Sequence, residues 1–284
     1  MPSHPRSWPD GKRVAVLVTV LLESWGENKS PTYFTRTTPL KPGAVDHAGI
    51  QWSQYGAKEG IWRIIRVLDA CGVPATVLAN AKAAELHPDA IRQIIRSGHE
   101  LGAHAYAQDQ YLLNMNVEEQ RETIRRSLDI LESASGRRPE GWGTPLYSWS
   151  SDTVDLLVQE GLRWHADALD TSLPYRQKTR SGTIVALPHS EFLDNRVLRA
   201  SPRDFYDVYK DTFDYLYAHE PMGLLHLGLH CHFGGRPLIA AMFFKILRYL
   251  KEFPDLWFPR HSELVQWFLA QDVEDLSYAR RFFG

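Results

Sequence analysis

Short apolar runs alternate with amphipathic stretches along the whole chain, and this alternation limits the available folds more than any other feature of the sequence. Val14–Leu22 is a nearly unbroken run of β-branched residues and leucine, the pattern of a strand covered on both faces. Residues 60–70 carry Ile61, Ile64, Ile65 and Leu68 at helical spacing and lead into a strand at 73–80. Pro88–Arg96 is a second helix with Gly98 as its stop, followed by a strand at 99–104 and a long helix at 117–133. A helix at 151–160, strands at 162–167 and 183–187 and a helix at 202–219 come next. The series ends with a strand at Gly223–His230, a helix at 238–253, a strand near 256–258 and a helix from His261.

These are about seven strand–helix units, and strict βα alternation implies a parallel sheet with helices outside it. Right-handed crossovers in that number close naturally into a barrel of the TIM type. The competing open, doubly wound sheet calls for a glycine-rich first turn, but that turn reads LLESWGENKS, with no dinucleotide or phosphate-binding motif. No linker divides residues 1–284, so one domain is expected. Residues 25–55 form an irregular excursion, the size of a functional lid or an oligomer arm. The formal charge is −2, from 32 basic and 34 acidic residues, which argues against nucleic acid and an anionic membrane as partners. Two cysteines, Cys71 and Cys231, make no disulfide framework, and the Val14–Leu22 run is too short to span a bilayer. A cytoplasmic protein acting on a small molecule is the expectation.

In a parallel barrel the chemistry sits at the carboxyl ends of the strands. Those ends hold Glu23, Asn80, His104, Thr144, Asp167, His189 or Glu191, and His230 with His232. Strand alternation puts His226, Gly228, His230 and His232 on one face and Leu225, Leu227 and Leu229 on the other. Imidazole suits proton transfer near neutral pH, so at least one of these histidines is expected to be functional. Ionised and unpaired, Glu23 would cost several kcal/mol, roughly, at the end of a buried strand. It therefore pairs, has a raised pKa, or faces a wet cleft. Asp167 shares a strand face with His165, which would either orient a proton carrier or simply hold the fold.

In this order the motifs VLLESW, GHELGAHAYAQ, GRRPEGW, WHAD with LPY, and LH resemble the polysaccharide deacetylase (NodB-homology, carbohydrate esterase 4) superfamily over essentially the whole chain. The resemblance implies a distorted (β/α)7 barrel, in agreement with the alternation of strands and helices. It also exposes departures. Glu23 and Ser24 stand where the family has two adjacent Asp, a general base and a metal ligand. His104 and Gln108 stand where it has two His ligands, and Gly143 where it has an Arg. His230 matches the late His that acts as general acid. With HAYAQD, the Gly141–Trp142 pair and the segment HCHFGGRP, the chain is similar to the branch containing allantoinases and cyclic-imide hydrolases.

The implied reaction is hydrolysis of a C–N bond in a cyclic imide, ureide, lactam or related small amide. Glu23 and His230 would be the catalytic base and acid. Asn80, His104, Gln108, Asp167, His232 and Arg236 would bind and orient substrate. No cofactor is expected with confidence; if a divalent metal such as zinc is kept, Glu23, His104 and Gln108 are its ligands. Two other functions compete, a metal-dependent deacetylase of N-acetylated carbohydrate and an inactive barrel that binds a sugar or small ligand. Trp25, Trp52, Trp142 and Trp149 would line the pocket or a contact, and the resemblance implies a dimer or tetramer.

Overall fold

In chain order the strands are β1 (Val14–Leu22), β2 (Thr76–Ala79), β3 (Glu100–Ala103), β4 (Gly141–Trp142), β5 (Trp164–Ala168), β6 (Tyr175–Lys178), β7 (Thr183–Pro188), β8 (Gly223–His230) and β9 (Leu256–Trp257). The α-helices are α1 (His47–Tyr55), α2 (Ile61–Cys71), α3 (Ala81–Leu86), α4 (Pro88–Arg96), α5 (Val117–Ser135), α6 (Ser151–Gln159), α7 (Arg203–His219), α8 (Cys231–Gly234), α9 (Pro237–Leu250), α10 (His261–Ala270) and α11 (Tyr278–Phe282). The structure is a computed structural model and describes residues 6–34, 38–190, 192–271, 273 and 275–282.

All nine residues of β1 are buried because both of its faces are covered. Val14, Val16, Val18, Val20 and Leu22 pack with the inner faces of α2, α4, α5, α7 and α9, through residues such as Ile64, Ile91, Leu128, Phe213 and Phe243. Ala15, Leu17 and Leu21 belong to a second cluster inside the barrel with Leu78, Trp164, Val185 and Leu187. The sheet runs β6-β7-β5-β4-β3-β2-β1-β8, with β9 against the start of β1. Every pairing is parallel except β6 with β7.

The result is the expected parallel α/β barrel with outer helices, but strict alternation fails in three places. A short antiparallel strand, β6, precedes β7; its YRQK residues are too polar to read as buried. The helix α3 follows directly on β2, and α1 occupies the last part of the excursion at 25–55. Among the described residues no ladder joins β8 to β7. Side chains bridge that gap instead. Ser190 N–H donates to His226 Nδ1 (2.9 Å), Gly228 N–H donates to Tyr209 Oη (3.1 Å), and that hydroxyl donates to the Phe192 carbonyl (2.7 Å). No helix among the described residues is long and apolar enough to cross a membrane.

His226 points into the barrel, as its strand face requires, but its work is structural. With Nδ1 accepting from Ser190, Nε2–H donates to Thr19 Oγ1 (2.7 Å), whose own proton goes to His261 Nε2 (3.1 Å). The His189 ring lies 4.5 Å from that of His226. Burial holds all three imidazoles neutral, with His189 pushed down to about 4, His261 to about 3 and His226 well below the usual value. Their contribution to stability is therefore complete above pH 6.5 and is lost as the pH falls below it, because the unfolded chain takes up protons that the folded chain refuses. Each withholds about 1.4 kcal/mol per pH unit in that window. The melting temperature, followed from pH 7.5 to 5, is expected to fall more steeply for the wild type than for His261→Gln; equal slopes would show that the column is not held neutral.

Candidate active site

Alternation along β1 turns Thr19, Leu21 and then Glu23 inward, and pairing sets Leu21 level with His230 on β8. Glu23 therefore emerges at the rim beside the end of β8 and is only 3% exposed. Three imidazoles surround its carboxylate. His104 Nε2 lies 3.7 Å and His230 Nε2 3.8 Å from Oε1, and His232 Nδ1 lies 3.5 Å from Oε2. Burial raises the Glu23 pKa, but the positive charge of His230 leads the influences that outweigh it, and the group is held below the usual carboxylate range.

Each imidazole is anchored on its far side. His104 Nδ1–H donates to the Gly143 carbonyl (2.7 Å), which leaves the Nε2 lone pair toward Glu23. His230 Nδ1–H donates to Asp194 Oδ1 (2.6 Å), while the His230 backbone N–H donates to Oδ2 (2.8 Å). Burial opposes protonation of His230, yet Asp194 and then Glu23 overcome it and raise the group to about 9. His232 Nε2 is hydrogen-bonded to the Tyr33 hydroxyl (2.9 Å), and burial pushes this imidazole down to about 3.

Glu23, His104, Gln108 and His230 line a cavity of about 270 Å³. Thr144, Tyr147, Asp167, His189, Asn195 and Arg196 complete much of its lining. Leu146 and Tyr147 at the rim, and Ala105 next to His104, have φ of 50°, 52° and 53°. Left-handed backbone at non-glycine residues costs of order 1–3 kcal/mol each and here borders the cavity. A wider groove of about 660 Å³ along α5 is lined by Arg121, Arg125 and Arg126 with their acidic partners. Its charges pair with one another, and it holds none of the imidazoles.

A family model described as polysaccharide deacetylase matches residues 53–165. A peptidoglycan deacetylase of Helicobacter pylori is 20% identical over 254 residues, covering 77% of this chain and 86% of its own length. The crystal structure of Puue allantoinase superposes with a TM-score of 0.86 at 29% identity, covering 96% of this chain and 95% of its own. A probable polysaccharide deacetylase of Pseudomonas aeruginosa superposes at 0.84 with 27% identity, covering 93% and 94%. These matches support the polysaccharide deacetylase superfamily as the one this chain is similar to. The reaction class they support is hydrolysis of carbon–nitrogen bonds other than peptide bonds.

The superfamily's first two motifs imply a divalent metal, and the donors present can be weighed against it. His230 carries a proton on Nδ1 and is held as the acid form, and His232 Nε2 is taken by Tyr33. One imidazole, one carboxylate and the Gln108 amide oxygen remain. A zinc site normally takes three good nitrogen, sulfur or carboxylate ligands. Among the described residues no group of three His, Cys, Asp or Glu is placed to hold an ion. This donor set does not fit the group, including the trio Glu23, His104 and Gln108.

Three residues expected to bind substrate do other work. Asn80 is fully buried, and its amide is satisfied by the backbone: Oδ1 accepts from Ser24 N–H (2.9 Å) and Nδ2 donates to the His104 carbonyl, tying together the chain beyond β1 and β3. Arg236 donates to the carbonyls of His232 (3.1 Å) and Trp52 (3.3 Å) and lies over the Tyr55 ring, behind the wall. His232 faces Glu23 rather than the cavity, and it sits on α8 rather than extending the strand face of β8. Asp167 does line the cavity, but both its oxygens accept from Thr144, at 2.8 and 2.7 Å; His165 stays 3.8 Å away and donates to Gln177 instead. Trp25 and Trp52 pack around the His232 ring, Trp142 is fully buried and donates to Thr144, and Trp149 packs toward His165. Glu191 lies outside the described residues.

Sequence reasoning missed Asp194 and Tyr33. Asp194 opens a short 3-10 helix after β7 and Tyr33 lies in the segment after β1, and no spacing marks either. A search for any buried Asp able to charge His230 would have been the signal for the first.

A close helix contact seats His232. The glycines of the π-turn Gly56–Gly60, between α1 and α2, lie against α8. A Cβ at Gly60 would stand 1.9 Å from the Cys231 carbonyl oxygen, and one at Gly56 2.9 Å from His232 N. Gly60→Ala must push α8 away. It is expected to lower stability by about 1–3 kcal/mol or more, read as a lower urea midpoint; an unchanged midpoint would show that the contact is not tight.

Proposed function

We propose that this protein hydrolyses a C–N bond in a small cyclic amide, with a ureide or imide as the best match, using Glu23 and His230 as base and acid. The observation that carries the reading is the pair itself: a carboxylate held low and an imidazolium held at about 9, 3.8 Å apart on the wall of one cavity. Opposite shifts in neighbouring titratable groups are the mark of an acid and a base working together.

The tautomers set the order of events. A water within reach of Glu23 Oε1 and His104 Nε2 gives a hydrogen bond to each and turns a lone pair toward the substrate carbonyl. Glu23 takes one proton as the oxygen adds to carbon. His230 Nε2–H steadies the developing oxyanion and then protonates the nitrogen as the C–N bond breaks. Return of the proton from Glu23 to His230 resets the site. One oriented donor supplies about 3 kcal/mol to such a transition state. A strained ring carbonyl, more reactive than an acetamide, lowers what the site must supply.

Size and polarity support a small ring. The cavity, about 270 Å³, lies just under the usual range for ligand pockets and suits one compact molecule rather than a polymer. Among the described residues, His104 Nε2, Gln108 Oε1 and His189 Nδ1 are buried without hydrogen-bond partners, and the other nitrogen of His189 is bonded to the Ala166 backbone. Both imidazole atoms are therefore acceptors, complementary to the N–H groups of a ureide. The two free cysteines suit a cytoplasmic setting. The Helicobacter pylori relative favours a second reading, deacetylation of an N-acetylated carbohydrate, for which the same pair would serve.

A panel of ureides, imides, lactams and N-acetyl sugars, run with and without added divalent metal, separates the two readings. Turnover of ring substrates without metal supports the first, and of N-acetyl sugars the second; no turnover at all leaves a ligand-binding barrel. Glu23→Gln should lose at least about a hundredfold in kcat with the fold intact; near-normal activity would remove Glu23 from the mechanism. Activity needs Glu23 deprotonated and His230 protonated, so kcat/KM should hold from the low Glu23 value up to about 9 and fall above it. Asp194→Asn removes the charge that raises His230 and should move that alkaline limb down by about one unit or more. A limb that stays in place would assign it to another group.

A further inference from the structure

A neutral imidazole has a single N–H, and its position decides what His232 does to Glu23. With the proton on Nδ1 it donates toward Oε2, 3.5 Å away; with the proton on Nε2 it turns a lone pair at a buried carboxylate. Packing fixes the ring's plane but not its proton. Trp25 and Trp52 meet the ring edge-on, at 5.3 and 4.9 Å between centroids, and Arg236 holds only the His232 backbone carbonyl. Among the described residues the one hydrogen bond to a ring nitrogen is with the Tyr33 hydroxyl at Nε2, 2.9 Å away. The phenol is kept in its protonated, donating form by burial and by the charges of Glu23 and Asp194.

We propose that Tyr33 is a positioning residue: its O–H donates to His232 Nε2 and so places the imidazole's one proton on Nδ1, facing Glu23 Oε2. The polypeptide before α1 thereby governs the hydrogen-bonding state of the base without touching it. The role fills a need left open by this chain, because Gly143 stands where the superfamily resemblance expects an Arg, and no Arg or Lys lies among the ion-pair partners of Glu23 in the described residues. The inference rests on the reading of Glu23 as base for its catalytic consequence, though not for the position of the proton.

The test is a two-bond ¹H–¹⁵N correlation spectrum of the full chain labelled with ¹⁵N-histidine, with His232 assigned by its loss in His232→Gln. The wild type should show His232 protonated at Nδ1, and Tyr33→Phe should show the proton moved to Nε2 or averaged between the two nitrogens. Trp52→Phe, which alters the same packing without touching a ring nitrogen, should keep the Nδ1–H pattern. On the best substrate of the panel, Tyr33→Phe should lower kcat by about tenfold with KM changed by less than about twofold. A wild-type proton on Nε2 overturns the proposal even if the variant does not fold, as does a Tyr33→Phe spectrum identical to wild type. If the proton moves as expected but the wild type turns over nothing in the panel, the positioning role stands and the hydrolase reading fails.

Discussion

A carboxylate buried at the end of the first strand is the constraint on which the rest of the site depends. An ion of this kind, removed from water without partners, costs several kcal/mol, roughly, even after the surroundings relax. Glu23 is accommodated chiefly by the charge of His230, and three imidazoles surround it from three separate segments, following β3, at the end of β8 and on α8. Each imidazole is in turn held by a group that gives it a different character. The Gly143 carbonyl leaves His104 with a lone pair toward the carboxylate, Asp194 makes His230 an acid, and burial keeps His232 neutral. One carboxylate thus meets an acceptor, a charged donor and an uncharged ring, and that difference among three chemically identical side chains gives the site its direction.

The same arrangement explains why the departures from the superfamily pattern belong together. Gly143, where the resemblance expects an Arg, brings no cation to the site, and its backbone carbonyl accepts from His104. Placing Gln108 in the second ligand position leaves a polar amide facing the cavity in place of a second imidazole. Asp194 then supplies to His230 the negative charge that keeps it protonated beside a carboxylate already compensated. On the proposed mechanism, these changes put an acceptor imidazole, a charged imidazole and an amide where the family pattern has metal ligands and a cation.

Much of the fold was legible because burial on both faces leaves an unmistakable mark. β1 lies where its unbroken apolar run places it, β8 where leucines alternate with histidine and glycine, and α4 ends where Gly98 predicts. The elements that escaped are those whose contacts use small or polar residues. The buried side of α1 is Gly49 and Ser53, so it shows no apolar stripe, and β6 is half-exposed YRQK at the sheet's edge. Within the site, Glu23, His104, Gln108 and His230 were visible as strand ends and the segments just beyond them. Asn80 was visible too, but with the wrong role, since sequence cannot reveal that an amide is already satisfied by two backbone partners. His232 was placed near the right atoms for the wrong reason, as strand alternation does not continue into the helical turn of α8.

Asp194 and Tyr33 mark the boundary of such reasoning. A strand end projects its side chain at a predictable point because the pleat and the barrel leave it little choice, whereas a loop reaches its target by a path that no periodicity encodes. The residues that contact substrate in a barrel are therefore the easier ones to find from sequence. Those that set the protonation of the contacting residues come from anywhere the chain passes. In this chain they come from the turn after β7 and from the segment ahead of α1, and both act on imidazoles at or just beyond β8. The end of that strand is where the proposed acid, His230, and the imidazole beside the proposed base, His232, meet, two residues apart, with Cys231 between them turned into the helix layer.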